Sequence, residues 1–545
     1  MTDFDVIVIG SGFGGAIAGC RLQEAGYRVL ILERGRRWSF QSTSPEFFPR
    51  DPADTKRWLW CDEDPVNYHG WLDLRLFPNM AVAQGAAVGG GSQIYANVSV
   101  EAPDAAFEDY PGLASWPAAI RKPELQKYYD AVAREMKVRP IPRNQWSSRT
   151  GLMNTAASAI GEANRFSTIP LAIRFSDSLT IDPASPNRPQ RDEASIEPNE
   201  YGVPQGTCYH CGQCDIGCDV NARNTLDTNY IPRAERAGAE VRPLHIVRNI
   251  EKTANGYRVH FERIDGSAHP TGSLTSRLVI VAAGSLGSTE LMLRCRNETG
   301  SLPAISPFLG RQWSSNGDFL TPAIHAGLQP SPNPSEGPPI TAVIDFLDRS
   351  QNGESFWIQD GGFPNLLAQY LQLPANRFQW MLLESLRVVS GSTVNSQIGQ
   401  FRSVMPWFAQ AVDAGDGRLS LKRRWWWPFG KSRLHLSWDI GKSETAINTV
   451  VAMHKRLAEA THGLPLVPPT WSISKDLITP HPLGGCPMAD TPARGVVNDR
   501  GEVFGYKNLF VSDGAVFPRA IGVNPSRTIG AIAERIAAKI IEHGS

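Results

Sequence analysis

The sequence predicts an α/β fold, extended by a second region of strands and helices that makes the chain α+β overall. Residues 4–32 show the order strand, turn, helix, strand, and residues 278–293 show a second buried strand followed by a glycine turn and a helix. In both segments an apolar run of strand length leads through glycine into a helical pattern, which is typical of α/β units. Short strand patterns between residues 340 and 438 indicate the second region.

Composition indicates a globular chain with enough core for two or more domains. The chain has 545 residues, of which 41% are hydrophobic and 20% charged. Basic and acidic residues both number 54, which gives no electrostatic case for binding nucleic acid. No apolar run approaches the roughly 18 residues of a transmembrane helix, and no signal-peptide pattern precedes the first strand. We therefore expect a cytoplasmic protein.

The first strand and helix enclose a glycine-rich turn. The apolar run 4–9 predicts a buried strand, 16–25 a helix and 28–32 a second strand. The turn Gly10-Ser11-Gly12-Phe13-Gly14-Gly15 matches G-x-G-x-x-G, and Glu33 follows about 20 positions later. In this context the pattern indicates a Rossmann-type unit that binds a dinucleotide.

Each position of this pattern has a physical role. Gly10 permits the tight turn, Gly12 permits approach of the pyrophosphate, and Gly15 permits close packing of helix on strand. The phosphates would face the N-terminus of the helix, where free N–H groups and the helix dipole attract anions. Glu33 would accept hydrogen bonds from ribose hydroxyls. The alternative, a glycine-rich turn that serves only for packing, does not explain why an acidic residue follows at this position.

A second glycine-rich loop covers residues 85–92, with the sequence GAAVGGGS, and QIYANV follows at residues 93–98. So many glycines indicate a backbone that passes close to a flat or anionic group. A disordered linker is the alternative, but the apolar residues that follow at once favour an ordered loop.

A histidine near the C-terminus lies between two prolines, in the loop Thr479-Pro480-His481-Pro482-Leu483-Gly484-Gly485. Each proline fixes its own φ and keeps the preceding residue out of the helical region, so His481 should sit on a stiff, extended loop. A stiff loop suits a base that must hold its position. Taken alone, the loop favours a proline-rich turn carrying an exposed histidine, and the motifs at both ends of the chain reverse that preference.

Four motifs together resemble the glucose-methanol-choline (GMC) oxidoreductases, and most closely their cholesterol-oxidase-like branch. They are GSGFGG with Glu33, GGGSQIYAN, the HPLGG loop and the C-terminal GVNP at residues 522–525. The resemblance implies bound FAD, an FAD-binding domain assembled from separated segments, and a substrate domain built on an antiparallel sheet covered by helices. It also implies oxidation of an alcohol by hydride transfer to flavin N5.

This plan divides the chain into five segments. The FAD-binding domain would take residues 1–110, 205–300 with a cysteine-rich loop, and 478–545 with the histidine loop. Substrate-side helices and an excursion loop would take residues 111–204, and the substrate domain residues 301–477. Within the last of these, a helix is predicted over 366–389 and a pair of strands around the tryptophan run 425–427. We expect that run to pack in a core or interface, with an access path or lipid contact as the alternatives.

The resemblance also implies the site residues. His481 would share or accept the hydroxyl proton and Asn524 would fix the oxygen, although Asn524 could instead be a plain N-cap of the last helix, predicted over 526–542. The GGGSQIYAN loop has no histidine where some relatives bond the flavin covalently, so FAD should be non-covalent. The FAD-binding candidates are Gly10, Gly12, Phe13, Gly14, Gly15, Glu33, Gly85, Gly89, Gly90, Gly91, Ser92, Tyr95, Ala96, Asn97, Val98, Val247, Ala283, Gly284, Gly485, Asp513, Gly514, Asn524 and Pro525.

The substrate is expected to be a bulky hydrophobic or sterol-like alcohol, with oxygen or another acceptor taking the electrons. Sterol-oxidising relatives also carry a glutamate that moves a proton during isomerisation, and no residue here lies in a matching motif. Asp345 and Asp360 are candidates for that role on position alone. Isomerisation of a sterol product therefore does not follow from the sequence.

Four of the eight cysteines, Cys208, Cys211, Cys214 and Cys218, have the spacing C-x2-C-x2-C-x3-C of a bacterial four-iron ferredoxin run. Asp219 takes the place of the proline that follows in ferredoxins, and similar cysteine-rich stretches occur in GMC relatives regarded as simple flavoproteins. The sequence thus favours a metal-free structural loop and FAD as the only cofactor. The alternative is a flavoprotein dehydrogenase whose iron-sulfur cluster passes electrons to a protein or quinone.

Overall fold

The fold is described from a computed structural model, which describes residues 2–40, 54–110, 112–185, 189–266, 270–364, 403–423 and 432–544. The helix predicted over 366–389 and the tryptophan run 425–427 lie outside these ranges. The described helices are α1 Phe13–Glu24, α2 Thr55–Trp58, α3 Lys122–Glu135, α4 Ser148–Ala159, α5 Tyr230–Arg236, α6 Gly284–Asn297, α7 Glu444–Ala460, α8 Pro469–Ser472 and α9 Ser526–His543.

The described strands are β1 Phe4–Ile9, β2 Val29–Leu32, β3 Leu59–Trp60, β4 Leu72–Phe77, β5 Met80–Gly85, β6 Arg139–Pro140, β7 Phe166–Thr168, β8 Pro170–Leu171, β9 Glu197–Pro198, β10 Pro204–Gln205, β11 Glu240–Arg242, β12 His245–Thr253, β13 Gly256–Arg263, β14 Thr271–Val281, β15 Phe319–Ile324, β16 Ala342–Gln351, β17 Glu354–Asp360, β18 Val404–Ala411, β19 Arg418–Lys422, β20 Arg433–Ser437, β21 Leu464–Pro465, β22 Leu477–Thr479 and β23 Leu509–Val511.

The predicted Rossmann-type unit forms the centre of a seven-stranded sheet. Parallel pairing runs in the order β11-β2-β1-β14-β23, while β13 and β12 add an antiparallel extension to the first half of β14. The side chains of β2, and of β1 from Val6 onward, are fully buried, as expected for strands covered on both faces. The sheet therefore joins strands from both ends and the middle of the chain.

Helix α1 packs on β1 and β2, and helices from distant segments pack around it. Helix α1 packs against α9 and α5, and α3 packs against α9. The Tyr129 hydroxyl on α3 lies 3.0 Å from the Thr528 hydroxyl on α9. The sequence analysis assigned residues 111–204 to the substrate side. Helix α3 instead packs against α9, because its buried aromatic side chains complete the packing around that helix.

A six-stranded antiparallel sheet forms the second region, in the order β21-β15-β18-β17-β16-β7. Helices α4 and α7 pack against it. Strand β15 alternates buried and partly exposed residues, as a sheet with one covered face requires. This confirms the predicted fold class, a Rossmann-type domain joined to an antiparallel sheet covered by helices, and β19 pairs with β20 as predicted.

A four-stranded sheet, β22-β5-β4-β3, links the two regions. Strand β22 runs parallel to β5, so the histidine loop after Thr479 and the glycine-rich loop after Gly85 start from neighbouring strand ends. The carboxyl ends of parallel strands meet at one edge of a sheet, which is where ligands bind in α/β folds. Across the described ranges, no helix combines the length and apolar character needed to span a bilayer.

Candidate active site

The histidine loop is held in place by residues 314–318, a short segment that precedes β15. Leu483 exchanges two backbone hydrogen bonds with Ser314, of 2.9 and 3.0 Å. The buried carboxylate of Asp413 accepts hydrogen bonds from the Ser314 hydroxyl and from the amide and hydroxyl of Ser315. Burial raises the pKa of Asp413, and these donors counteract that effect. Residues 314–318 are therefore held by the histidine loop through Leu483 and by the carboxylate of Asp413.

Asp318, the last residue of this segment, orients the imidazole of His481. The Nδ1 atom of His481 lies 2.9 and 3.0 Å from the two carboxylate oxygens of Asp318, which is fully buried. The Thr479 hydroxyl donates to the same carboxylate at 2.5 Å and accepts from the His481 amide at 2.9 Å. A carboxylate at Nδ1 selects the tautomer that carries its proton there, which leaves Nε2 free to accept one.

Asn524 lies on the Nε2 side of the ring. Its Nδ2 atom is 3.4 Å from His481 Nε2, and its Oδ1 accepts a hydrogen bond of 2.6 Å from Gln359 Nε2. The structure thus brings together the two residues that the sequence proposed as a catalytic pair, 43 positions apart. Gln359 fixes which end of the Asn524 amide faces the histidine, because its own N–H can pair only with the oxygen.

Asn524 does not cap the last helix, which corrects one sequence-based alternative. Helix α9 begins at Ser526, Pro525 occupies the N-cap position, and no side-chain cap hydrogen bond forms there. The amide of Asn524 turns instead toward Gln359 and His481. Its loop is held by Asn316, whose side chain donates to the Val523 carbonyl and accepts from the amides of Ile521 and Gly522.

The antiparallel sheet supplies the opposite wall of the site. Gln359 on β17 and Phe408 on β18 are cross-strand partners, and the Phe408 ring centroid lies 6.4 Å from that of His481. The Oε1 atom of Gln359 is buried and has no partner among the described residues. The side chain of His481 is 17% exposed, so the imidazole is reachable while Asp318 behind it is sealed from water.

The two glycine-rich loops touch each other at the edge of the Rossmann sheet. A Cβ added to Gly90 would lie 2.6 Å from the Gly12 Cα, and one added to Gly14 would lie 1.4 Å from the Ser512 carbonyl oxygen. Ser11 connects the loops, since its hydroxyl accepts a hydrogen bond of 3.1 Å from the Gly89 amide. Glycine is required at these contacts because backbone packs directly on backbone.

Glu33 sits at the end of β2, as predicted. Its buried carboxylate accepts hydrogen bonds from the Ser11 amide and hydroxyl and from the Gly35 amide, at 2.7–2.9 Å. Strand β12, which carries Val247, begins beside it, since the His245 amide donates to the Glu33 carbonyl at 2.8 Å. Glu33 thus organises the first glycine turn, and its role as a ribose acceptor stays a prediction.

Asn97 lies in the QIYANV segment that follows the second glycine-rich loop. Asn97 has a φ of 64° and is fully buried, and neither polar atom of its side chain has a partner among the described residues. The Ser526 hydroxyl donates to the Val98 carbonyl at 2.8 Å, and Phe13 packs edge-on against Tyr95 at 5.6 Å. Unpaired buried amide atoms next to glycine turns fit a polar cofactor such as FAD.

Asp513 joins the last segment to the second strand-helix turn. Its carboxylate accepts from the Gly284 amide at 2.8 Å, the Ser288 hydroxyl at 2.5 Å and the Ala515 amide at 2.7 Å, and burial raises its pKa to about 6. The Gly484 amide donates to the Gly514 carbonyl at 2.9 Å, so the histidine loop is attached here too. For the other sequence-predicted residues FAD binding stays a prediction; they are Gly10, Gly12, Gly14, Gly15, Gly85, Gly89, Gly90, Gly91, Ser92, Ala96, Ala283, Gly284, Gly485, Gly514 and Pro525.

The two carboxylates considered for a sterol-isomerising role have other functions. Asp360 is buried, and its oxygens accept from the amides of Thr341 and Ala342 and from the Thr341 hydroxyl. Asp345 is exposed and accepts from the Leu347 amide. Asp318, Gln359 and Asn316, which shape the site, were not found from the sequence. Their only sequence signal is their closeness to the start of β15 and the end of β17.

The fold and the site define the class of this protein. A Rossmann-type sheet with two glycine-rich loops faces a histidine–asparagine pair, and the model for an NAD(P)-binding Rossmann-like domain matches residues 8–65. Two models described as GMC oxidoreductase match residues 195–300 and 415–533. The chain belongs to the GMC oxidoreductase family and is an FAD-dependent enzyme that oxidises CH–OH donors.

Individual relatives agree with this assignment. A cholesterol oxidase of Acinetobacter baumannii is 31% identical over 98% of this chain and 93% of its own length, and one of Mycobacterium tuberculosis is 28% identical over 98% and 90%. A long-chain-alcohol oxidase of Arabidopsis thaliana is 23% identical over 99% and 67%. Pyridoxine 4-oxidase from Mesorbium loti has the same fold, with a TM-score of 0.62, 15% identity and 99% of each chain covered.

Proposed function

We propose that this enzyme oxidises a bulky hydrophobic alcohol, such as a sterol or a long-chain alcohol, at the His481–Asn524 pair. The observation that carries the proposal is the hydrogen bond between His481 Nδ1 and the buried Asp318 carboxylate, because it aims Nε2 at the space beside Asn524. FAD, bound non-covalently, would supply the hydride acceptor. The chain's own residues would handle the hydroxyl group.

His481 is proposed as the proton acceptor. A neutral imidazole with its proton on Nδ1 can take the hydroxyl proton at Nε2, and Asp318 then faces the positive ring that results. The Asp318 carboxylate stabilises that charge better than water could, since it is buried and already oriented. Asn524, held by Gln359, would donate its N–H to the alcohol oxygen and so fix the carbon that loses hydride.

The substrate class rests on the relatives and on the wall of the site. The relatives named above include cholesterol oxidases and a long-chain-alcohol oxidase, both of which act on large apolar alcohols. Phe408 places an aromatic ring near His481 on the side opposite the glycine loops. Burying apolar surface stabilises a bound substrate by about 25 cal/mol per Å², so contact with apolar side chains favours alcohols with a large apolar surface.

The proposal is tested by anaerobic flavin reduction. With a sterol or long-chain alcohol, His481→Ala should bind FAD normally and reduce it at least about 100-fold more slowly, the usual contribution of a general acid–base group. His543→Ala, an exposed histidine near the end of α9, is the matched control and should keep the wild-type rate. If the flavin of His481→Ala were reduced at the wild-type rate, the proposed role of His481 would be refuted. If glucose reduced the wild-type flavin faster than any apolar alcohol, the proposed substrate class would be refuted.

A further inference from the structure

A cavity outside the candidate active site is lined by all four cysteines of the C-x2-C-x2-C-x3-C run, Cys208, Cys211, Cys214 and Cys218. All four are free thiols. Cysteines that serve only as small apolar side chains fill space against their neighbours. Here four thiols from one eleven-residue stretch instead surround a common space, which the spacing alone could not establish.

The backbone around this cavity points N–H groups at the sulfurs. The His210 amide donates to Cys208 Sγ at 3.4 Å and the Ala222 amide to Cys218 Sγ at 3.2 Å. Gly212 has a positive φ of 70°, which lets the segment curl around its own cysteines. Hydrogen bonds from backbone amides favour negatively charged sulfur and are a common feature of sulfur-ligated metal centres.

Arg223 places a buried positive charge in the cavity wall. Its guanidinium donates to the carbonyl oxygens of Ser92, Gln93 and Cys214, and within the described ranges it forms no ion pair. Its Nε atom is buried and has no hydrogen-bond partner there either. The buried carboxylate of Asp215 interacts with this cation, and a group held by four thiolates would add negative charge on the cavity side.

We propose that Cys208, Cys211, Cys214 and Cys218 bind an iron-sulfur cluster of three or four irons in this cavity. Among the described residues, no three His, Cys, Asp or Glu side chains converge closely enough for a single metal ion. Around one zinc, thiolate sulfurs stand only about 3.8 Å apart, given a Zn–S distance of about 2.3 Å. In a cluster the thiolates bind different irons and stand farther apart, as cysteines spread around a cavity do.

The sequence favoured a metal-free loop, partly because Asp219 replaces the proline of the ferredoxin pattern. That proline is not a ligand, so its absence removes no donor atom. In two-cluster ferredoxins the fourth cysteine of the run binds the other cluster, whereas here Cys218 lines the same cavity as the first three. The proposal is independent of the alcohol and of the role of His481.

The test is the metal content of the full-length protein, purified without oxygen and reconstituted with iron and sulfide. We expect three or four irons, a similar amount of acid-labile sulfide per chain, and broad absorption beyond the flavin bands. Cys211→Ser should lose most of the iron but keep FAD. Cys295→Ser, a buried free cysteine on α6 outside the cavity, is the control and should keep both.

Three results would overturn the proposal: wild-type protein without iron and sulfide after reconstitution, one zinc per chain, or Cys211→Ser with unchanged iron. If Cys211→Ser loses FAD as well as iron, thiol alkylation of the wild-type protein decides the question. A cluster should protect the four cysteines from alkylation without oxygen and expose them after chelation. Equal labelling of those cysteines before and after chelation would contradict cluster binding.

Discussion

Asp318 shows how one buried carboxylate can orient a histidine, here the His481 that we propose as the proton acceptor. It contacts the Thr479 hydroxyl and His481 Nδ1, and so acts on the Nδ1 side of the ring. We therefore regard it as a positioning residue. Such partners of metal-binding histidines typically contribute about 10- to 100-fold when removed, and we expect a comparable contribution from Asp318.

The substitution Asp318→Asn should slow flavin reduction by about 10- to 100-fold while the apparent dissociation constant of the alcohol changes little. The rate should change and the dissociation constant should not, because the carboxylate stabilises the charge that forms on His481 during the reaction and does not contact the bound alcohol. Anaerobic stopped-flow reduction at several alcohol concentrations separates the two quantities. Asp345→Asn, at an exposed aspartate, is the control, and an equal loss in both variants would argue against the positioning role.

His454 allows a prediction of pH dependence. It is fully buried on α7, its Nδ1 lies 2.9 Å from the Thr321 hydroxyl, and burial lowers its pKa to about 3. The folded protein thus holds this histidine neutral while the unfolded chain protonates it near pH 6.5. Its contribution to stability is complete above that pH and declines as the pH falls toward 3.

Between pH 6 and pH 4, His454 should therefore remove about 2–3 kcal/mol from the free energy of unfolding. The substitution His454→Gln should flatten the fall in melting temperature over this range, although it will lower the melting temperature at pH 7. Thermal unfolding of the FAD-loaded protein at a series of pH values measures both effects. His543→Gln should leave the slope as in wild type, and an unchanged slope in His454→Gln would show that other groups cause the acid sensitivity.

At the scale of single residues, the sequence identified His481 and Asn524 but not Asp318 or Gln359. The first two lie in motifs whose prolines and glycines constrain the backbone locally, and such constraints can be recognised without knowing the rest of the fold. Asp318 lies 163 residues before His481 in the sequence, and Gln359 lies 165 residues before Asn524. Only the tertiary fold brings each of them to its partner. Nothing in their own neighbourhoods marks them, because their role depends on tertiary contacts.

At the scale of elements, the glycine turn before α1 is constrained by a strand from the other end of the chain. Gly14→Ala would place a methyl group on the Ser512 carbonyl, so the turn, α1 or the Asp513 loop would have to move. We expect this variant to retain less than a tenth of the FAD bound by wild type. Wild-type protein should release its FAD on denaturation, as a non-covalent cofactor does.

Gly151→Ala is the matched control for this substitution. Gly151 lies inside α4, where an added Cβ meets nothing within 4 Å, so this variant should keep its FAD and gain up to about 1 kcal/mol of helix stability. Flavin absorbance per chain after gel filtration measures retention. Full FAD content in Gly14→Ala, or flavin that remains attached after denaturation, would contradict these expectations.

The elements that could be predicted are those with a strong local pattern. The buried runs of β1 and β2 appear where expected, within a few residues, whereas β14 begins at Thr271, seven residues before the apolar run at residue 278 that predicted it. The role of α3 was not predictable, because its amphipathic pattern fixes which face is buried but not which partner buries it. Only tertiary packing against α9 decides that.

At the scale of the whole molecule, Glu534 on α9 ties three segments together. Its carboxylate accepts two parallel hydrogen bonds from Arg21 on α1, at 2.8 and 2.9 Å, and one of 2.8 Å from the Tyr230 hydroxyl on α5. The Glu534 side chain is buried, whereas Arg21 keeps some contact with water and with Glu24. Two-pronged pairs of this kind are among the stronger polar contacts in proteins.

Glu534→Leu should lower stability by about 3 kcal/mol, because a guanidinium and a phenol lose their shared partner. The measurement is the thermal midpoint of the FAD-loaded protein, with flavin and tryptophan fluorescence followed together. Glu542→Leu is the control on the same helix, since Glu542 is exposed and pairs with Lys539 at the surface. If both substitutions shift the midpoint equally, the contact between the chain ends has no special importance.

The sheet that carries FAD also dictates an order of events during synthesis. Strand β2 ends at Leu32 and β23 at Val511, so at about 5–20 residues per second the ribosome makes β23 some 25–100 s after β2. Until then the free side of β14 lacks its last parallel neighbour, α1 lacks α9, and Asn524 does not exist. A nascent chain must therefore keep this apolar surface from aggregating while the antiparallel region folds, and cofactor loading can follow only after translation of α9.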